Sequence, residues 1–327
     1  MADIDIIDQY RSSFVSYLEE KIKFAEPKHL YEPIQYILGL GGKRMRPILT
    51  LMTAELFGED PKNALDTALA VEMFHNFSLV HDDIMDDAPL RRGKTTVHEK
   101  WDVNTGILSG DAMLILSYQF LESYPAETYK ELTKLFSKTA LEVCEGQQYD
   151  VDFETRDDVT IPEYLKMIEY KTSVLVAAAM KMGALVANAP KKDAEAIYEF
   201  GRNLGIAFQL QDDYLDAFGD PKTFGKQVGG DIMVNKKTYL YLKSLEKASK
   251  DNQDGLLHLY SIKPKDSADK VEAVKTIFKE SGAVEETKKA IQDFTQKAFD
   301  ALAEIELPEK SKALLEQFAK NLMERTV

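Results

Sequence analysis

Apolar residues recur at i, i+3, i+4 and i+7 along nearly the whole chain, in runs of roughly 15 to 25 residues. This pattern predicts helices near 4–24, 28–38, 43–57, 62–85, 105–122, 126–150, 160–188, 192–217, 236–249, 266–280, 283–304 and 308–325, and no β-hairpin. The breaks carry turn chemistry: LGLGGK at 38–43, DDAPLRRGK at 86–94, NAPKKD at 188–193, FGDPKTFGKQVGGD at 218–231 and ELPEK at 306–310. No repeat of fixed period and no low-complexity tract interrupts the series. Short breaks favour one all-α domain spanning 1–327 over two domains.

Composition narrows the class. The chain has 327 residues and is 44% hydrophobic, enough for a large core. The opening MADIDIIDQYRSS is acidic and lacks the basic and apolar regions of a secretory signal. No apolar run reaches the length of about 18 residues needed for a membrane span, and VLVAAAM at 174–180 ends at Lys181. The expectation is a cytoplasmic protein with no integral membrane segment. A single cysteine, Cys144, excludes an intrachain disulfide and any multi-cysteine metal site. A net charge of -14 argues against nucleic acid as a partner, because phosphate-backbone binding needs a basic surface. It also makes local basic clusters more informative.

The segment LVHDDIMDDAPLRRGKTTVH at 79–98 places four aspartates at the end of an apolar helix. Asp82 and Asp86, four residues apart, share one face; Asp83 turns about 100° aside, and His75 and Ser78 fall near the same stripe as Asp82. Carboxylates so close require a shared proton or a cation between them. Pro89 biases Ala88 out of the helix, so the negative helix end also favours a cation. The same spacing recurs in QLQDDYLDAFGDP, with Asp212, Asp213 and Asp216. One such cluster is equally a solvated helix end; two favour a hard cation, and Mg²⁺ suits all-oxygen ligands plus substrate phosphates. The EF-hand order of ligands is absent.

Cations accompany both clusters. LGGKRMRPI at 40–48 combines Gly41 and Gly42 with Lys43, Arg44 and Arg46 at a helix start, a setting that favours phosphate. Arg91, Arg92, Lys226 and Lys236 follow the acidic clusters, and Lys171-Thr172 lies mid-helix in an apolar context where a charge needs a partner. Structural ion pairs would explain these charges but not the glycines. Together the parts describe sites for two diphosphates: one bridging metals held by aspartates, the other bound directly by Lys and Arg.

At this point the chain resembles the trans-isoprenyl diphosphate synthases, the polyprenyl synthetase family. The resemblance rests on GGKRMRP, HNFSLVHDDIMDDAPLRRG, GQQYD, YKT and QLQDDYLDAFGDP with GKQVGGDI, and covers about residues 35 to 245. It implies an isoprenoid synthase type I helical bundle around a deep central cavity, a homodimer, and three Mg²⁺ bridging an allylic diphosphate to both aspartate motifs. Carried over by position, Asp82, Asp86 and Asp212 would be metal ligands, with Asp83, Asp213 and Asp216 as ligands or their supporting partners. Lys43, Arg46, His75 and Arg92 would bind isopentenyl diphosphate; Arg91, Lys171, Lys226 and Lys236 would bind the allylic diphosphate; Thr172 and Gln209 would face a developing carbocation.

The reaction implied is a head-to-tail 1'-4 condensation of isopentenyl diphosphate with an allylic diphosphate, by preorganised electrostatics in a dry cavity. A class I terpene cyclase is disfavoured by DDYLD and by the GGKRMRP site for a second diphosphate. An inactive regulatory subunit would be expected to lose aspartates that are whole here. Family experience places the cavity floor at Ser78 and Phe77, with Phe74 a turn below. A twenty-carbon geranylgeranyl product is expected, with fifteen-carbon farnesyl diphosphate the alternative. The alternative reading makes Phe77 and Phe74 ordinary core aromatics.

Overall fold

A computed structural model describes residues 2–23, 26–220 and 228–323. In chain order its elements are α1 (Ala2–Lys21), α2 (Lys28–Gly39), α3 (Met45–Leu56), a 3-10 turn (Pro61–Ala64), α4 (Leu65–Met85), β1 (Leu90–Arg91), β2 (Lys94–Thr95), α5 (Val97–Lys100), α6 (Val103–Leu121) and α7 (Ala126–Thr155). They continue with α8 (Ile161–Ile168), a π turn (Glu169–Ser173), α9 (Val174–Val186), α10 (Lys191–Phe218), α11 (Gly230–Met233), α12 (Tyr239–Lys247), α13 (Lys250–Tyr260), α14 (Ala268–Glu280), α15 (Ala283–Ala303) and α16 (Glu309–Met323). The chain divides into two compact units. The first comprises 1–140 with 178–195, and the second 141–177 with 196–327.

In the first unit α4 is the central element. Leu65, Leu69, Val71, Met73, Phe74 and Val80 are all buried, so the helix is enclosed on nearly every side, as an element apolar all round must be. It packs against α3 and α6. Small residues on α6 permit the approach: a side chain at Gly110 would collide with the His81 ring, and one at Gly106 would meet Ile84 at 2.9 Å. Thr50 on α3 donates to the Ala179 carbonyl at 3.0 Å, and a side chain at Gly183 would strike the Thr50 carbonyl.

In the second unit Tyr164, Met167, Ile168, Leu210, Leu240, Leu256, Val274 and Phe278 form one buried cluster. Helix α8 starts on a capping box: Thr160 caps Glu163, Glu163 reaches back, and Pro162 stands in the first turn. Around the π turn two helices approach through glycine. A side chain at Gly146 of α7 would collide with the Lys171 backbone, and one at Gly205 of α10 would meet Ser173 at 2.8 Å.

Three sequence expectations need correction. A minimal antiparallel hairpin pairs Leu90 with Thr95 and Arg91 with Lys94. Arg92 and Gly93, at φ 55° and 72°, make its turn; two-residue strands are too short to leave an alternating pattern. The expected helix over 160–188 is interrupted at 169–173 by the π turn, since one extra residue in a turn barely disturbs apolar periodicity. Helix α13 was not expected, because its sequence KDNQDGLLHLY is largely polar and fully buries only Leu256.

Candidate active site

The first unit holds one acidic and one basic cluster. Helix α4 ends by a Schellman arrangement: Asp87 is left-handed at φ 47°, and the Ala88 amide donates to the Asp83 carbonyl at 2.9 Å. This fixes Asp82 and Asp86 on the last turn. Arg91, projected by the hairpin, donates from Nε to both Asp83 oxygens at 2.9 and 2.8 Å and from Nη2 to Asp82 at 3.4 Å. Burial opposes the Arg91 charge, but Asp83, Asp82 and Asp86 outweigh it and raise its pKa. Asp83 is buried and held by this fork. Asp82, partly exposed, and Asp86, exposed, form the i, i+4 pair facing outward.

The basic cluster explains the glycines. Gly41 and Gly42 have φ of 75° and 125°, and a side chain at Gly42 would lie 2.7 Å from the Arg92 guanidinium carbon. Arg92 in turn donates to the Gly41 carbonyl. Lys43 is exposed beside them. Arg46 Nη1 lies 3.1 Å from His75 Nε2. Burial, then Arg46, Arg92, Arg91 and Arg44, hold His75 well below its usual pKa, so the ring is neutral and accepts from Arg46. Burial lowers Arg46 and Arg92 as well; Glu72 opposes this for both, while Arg92 lowers Arg46 and Arg44 with Arg91 lowers Arg92. Arg44, Arg46 and Arg92 thus gather around the one buried carboxylate of Glu72, with Lys43 exposed at the edge.

The second unit holds the other motifs. Asp212 and Asp216 lie four residues apart on α10. Asp216 accepts from the Asp231 amide at 3.0 Å and its carbonyl from the Gly229 amide at 2.6 Å, so the GGD turn closes on it. Asp213 is buried. It accepts from Tyr164 and from Gln209 Nε2 at 3.0 Å, and burial followed by Asp231 pushes its pKa up to about 7. Thr172 donates to Gln209 Oε1 at 3.3 Å. Lys171 lies 2.6 Å from Asp150 and Lys236 4.0 Å. Burial would raise Asp150, yet Lys236 and Lys171 bring it below the ordinary carboxylate range. Lys226 lies outside the described residues.

Other groups are placed differently from the sequence reading or were missing from it. Asp83 and Asp213 are the buried members of the two motifs, engaged by Arg91 and by Tyr164 with Gln209. Glu72, Asn76, Tyr164 and Asp150 were not singled out as site residues, and Arg44, read among the phosphate-facing cations, instead turns inward to Glu72. A buried acid in an apolar helix, as Glu72 is, was the readable signal. Phe77 packs on His81 at 4.8 Å and on Phe74 at 5.4 Å; Phe74 meets Phe136 at 5.4 Å, and Phe136 meets Tyr118 at 5.0 Å. Ser78 turns its hydroxyl back to the His75 carbonyl. Asp87, His98 and Glu99 bring one ligand atom each within 4.8 Å of one another, but one imidazole with two exposed carboxylates does not match a hard-cation diphosphate site. A cavity of about 730 Å³, lined by Tyr214, Phe218, Ile291 and Phe299, lies on the face of α10 opposite Asp212 and Asp216. No helix among the described residues is long and apolar enough to cross a membrane.

Comparison with known proteins is consistent throughout. The polyprenyl synthetase family model matches residues 27–277. A geranylgeranyl diphosphate synthase of Methanosarcina mazei is 42% identical over 76% of this chain and 78% of its own. A geranylfarnesyl diphosphate synthase of Natronomonas pharaonis is 34% identical over 94% of each. A crystal structure of a geranylgeranyl pyrophosphate synthase superposes with a TM-score of 0.94 at 55% identity, covering 98% of both chains. The all-helical architecture is thus that of the isoprenoid synthases, and the chain belongs to the polyprenyl synthetase family.

Proposed function

We propose that this protein is a Mg²⁺-dependent prenyltransferase that condenses isopentenyl diphosphate head-to-tail (1'-4) with allylic diphosphates, giving geranylgeranyl diphosphate. The observation that carries this reading is the basic pocket of Lys43, Arg46, His75 and Arg92. A cyclisation consumes one diphosphate, whereas condensation needs a second anion site, and here the guanidinium groups of Arg44, Arg46 and Arg92 gather around the buried carboxylate of Glu72. Relatives named as geranylgeranyl diphosphate synthases support the product. A twenty-five-carbon product is the second reading, favoured by the likeness to the geranylfarnesyl enzyme.

The donor set fits Mg²⁺: carboxylate oxygens of Asp82 and Asp86 in one unit, and of Asp212 and Asp216 in the other, at i, i+4 spacing. When bound, the metal supplies positive charge that stabilises the departing pyrophosphate. Lys171 and Lys236 bind the allylic diphosphate, held near each other by ionised Asp150. Arg91, fixed on Asp83, contributes charge. The allylic C1–O bond breaks with its electron pair passing to pyrophosphate. The isopentenyl C3=C4 pair then forms the new bond to C1, and the resulting cation loses a C2 proton to pyrophosphate. Thr172 donates its hydrogen to Gln209, which leaves hydroxyl lone pairs to face the cation. Lys226 is assigned to the allylic site from its place in GKQVGGD.

The assembly proposed is a cytoplasmic homodimer of this single polyprenyl synthetase domain. Support comes from α6, where Val103, Ile107, Leu108 and Ile115 are 41 to 60% exposed. The substrate assignment is tested by Arg92→Ala. It should raise the KM for isopentenyl diphosphate by about tenfold or more, the equivalent of a charge-assisted contact worth about 1.5 to 3 kcal/mol, with little change for the allylic substrate. A loss confined to the allylic substrate would invert the assignment.

A further inference from the structure

Arg44 sits between two proposed ligands of isopentenyl diphosphate, yet its side chain points away from solvent. It is buried, and it donates to Glu72 Oε1 and to the Leu38 carbonyl at the end of α2. Its backbone is left-handed at φ 52°, the residue from which α3 departs. A non-glycine residue held there is kept by its surroundings, and the buried bonds provide that hold. Glu72 is fixed in turn. Asn76 donates to its carboxylate at 3.2 Å and to its backbone carbonyl at 2.8 Å. Both lie on α4 within one turn of His75.

This gives Glu72 a second consequence. It is the carboxylate whose charge supports both Arg46 and Arg92, while its bond goes to Arg44. Arg46 therefore keeps a buried Nε–H without a partner. A buried guanidinium with an unused donor is prepared for an anion rather than for the protein.

We propose that Arg44 and Glu72 are positioning residues of the isopentenyl diphosphate site: their buried ion pair, braced by Asn76, ties the Gly41–Arg46 loop to α4 and keeps the Glu72 carboxylate off Arg46 and Arg92, whose remaining donors serve the substrate. The inference rests on the function proposed above and deepens it. Neither residue touches the diphosphate; each acts through Lys43, Arg46 and His75.

The test separates placement from stability. Arg44→Lys and Glu72→Gln should each raise the KM for isopentenyl diphosphate tenfold or more, while kcat and the KM for the allylic substrate change less than threefold. The double variant Arg44→Met/Glu72→Met removes both charges together and leaves no buried charge uncompensated, so its melting temperature should return toward the parent. Its isopentenyl KM should stay high. A KM that recovered with stability, or single variants that moved both substrates alike, would overturn the proposal. Calorimetric titration with inorganic pyrophosphate in chelator reads the same pocket without turnover. Binding at least tenfold weaker in Arg44→Lys supports the positioning role, and equal binding contradicts it. Failure of the parent to elongate any primer would refute the function instead.

Discussion

Arg91 spans the two oxygens of buried Asp83 at 2.9 and 2.8 Å, and this fork turns a row of aspartates into two classes of residue. Asp83 anchors the hairpin, and Asp82 and Asp86 remain on the outward face of the last helical turn. The two classes should respond differently to mutation. Asp83→Asn removes the carboxylate that holds the partly exposed Arg91, leaving it the 3.4 Å contact to Asp82, and should destabilise by about 1.5 to 3 kcal/mol. Asp82→Ala relieves like-charge repulsion, so it should keep or raise the melting temperature while lowering turnover by several orders of magnitude. Calorimetry and steady-state rates on the two variants check this, and equal destabilisation would contradict it.

His75 supplies a pH dependence. Its pKa in the folded protein is well below the ordinary 6.5, first through burial and then through the surrounding arginines. Below that ordinary value the unfolded chain takes up a proton that the folded chain refuses, so stability falls as pH decreases from about 6.5. The slope from this group is at most about 1.4 kcal/mol per pH unit. Subtracting the profile of His75→Gln from that of the parent, by urea unfolding between pH 5 and 8, should isolate it. A flat difference would mean that His75 protonates freely in the folded state.

Gly146 is predicted to be intolerant. A methyl group there would collide with the Lys171 backbone, against which α7 is packed, so Gly146→Ala must displace the π turn carrying Lys171 and Thr172. Turnover should fall by about 100-fold or more, in line with the cost of misplacing a reacting group by 1 Å. Normal rates with unchanged stability would show that the π turn can shift without effect.

Much of this was legible beforehand because it follows from spacing. The i, i+4 aspartates, the paired glycines before Lys43 and the helical period over α4 and α10 are all local patterns. What stayed hidden depends on contacts between distant residues. Nothing local to Asp83 says that a hairpin will deliver Arg91 to it, or that Asp213 will be taken by Tyr164, 49 positions away. The π turn was invisible for a different reason. It inserts one residue into a turn whose apolar pattern is otherwise helical, and the glycines that pack against it stand on two other helices.

Chain length should follow the ring column. Phe77 stands five residues before Asp82, about 7.5 Å along the helix axis, with Phe74 and then Phe136 in contact below it. Phe77→Ala should shift products from twenty carbons to twenty-five or longer, and the added substitution Phe74→Ala should extend them again. Chromatography of the dephosphorylated alcohols reads the distribution. An unchanged distribution would make Phe77 a packing residue only.

Metal-assisted joining of isopentenyl diphosphate to allylic diphosphates is the activity proposed for this chain. The most direct measurement supplies labelled isopentenyl diphosphate with dimethylallyl, geranyl or farnesyl diphosphate, with Mg²⁺ and with chelator, and identifies the product by mass. Geranylgeranyl diphosphate should form from all three primers with Mg²⁺, and no product should form in chelator. Absence of elongation from every primer, or undiminished elongation in chelator, would contradict that activity.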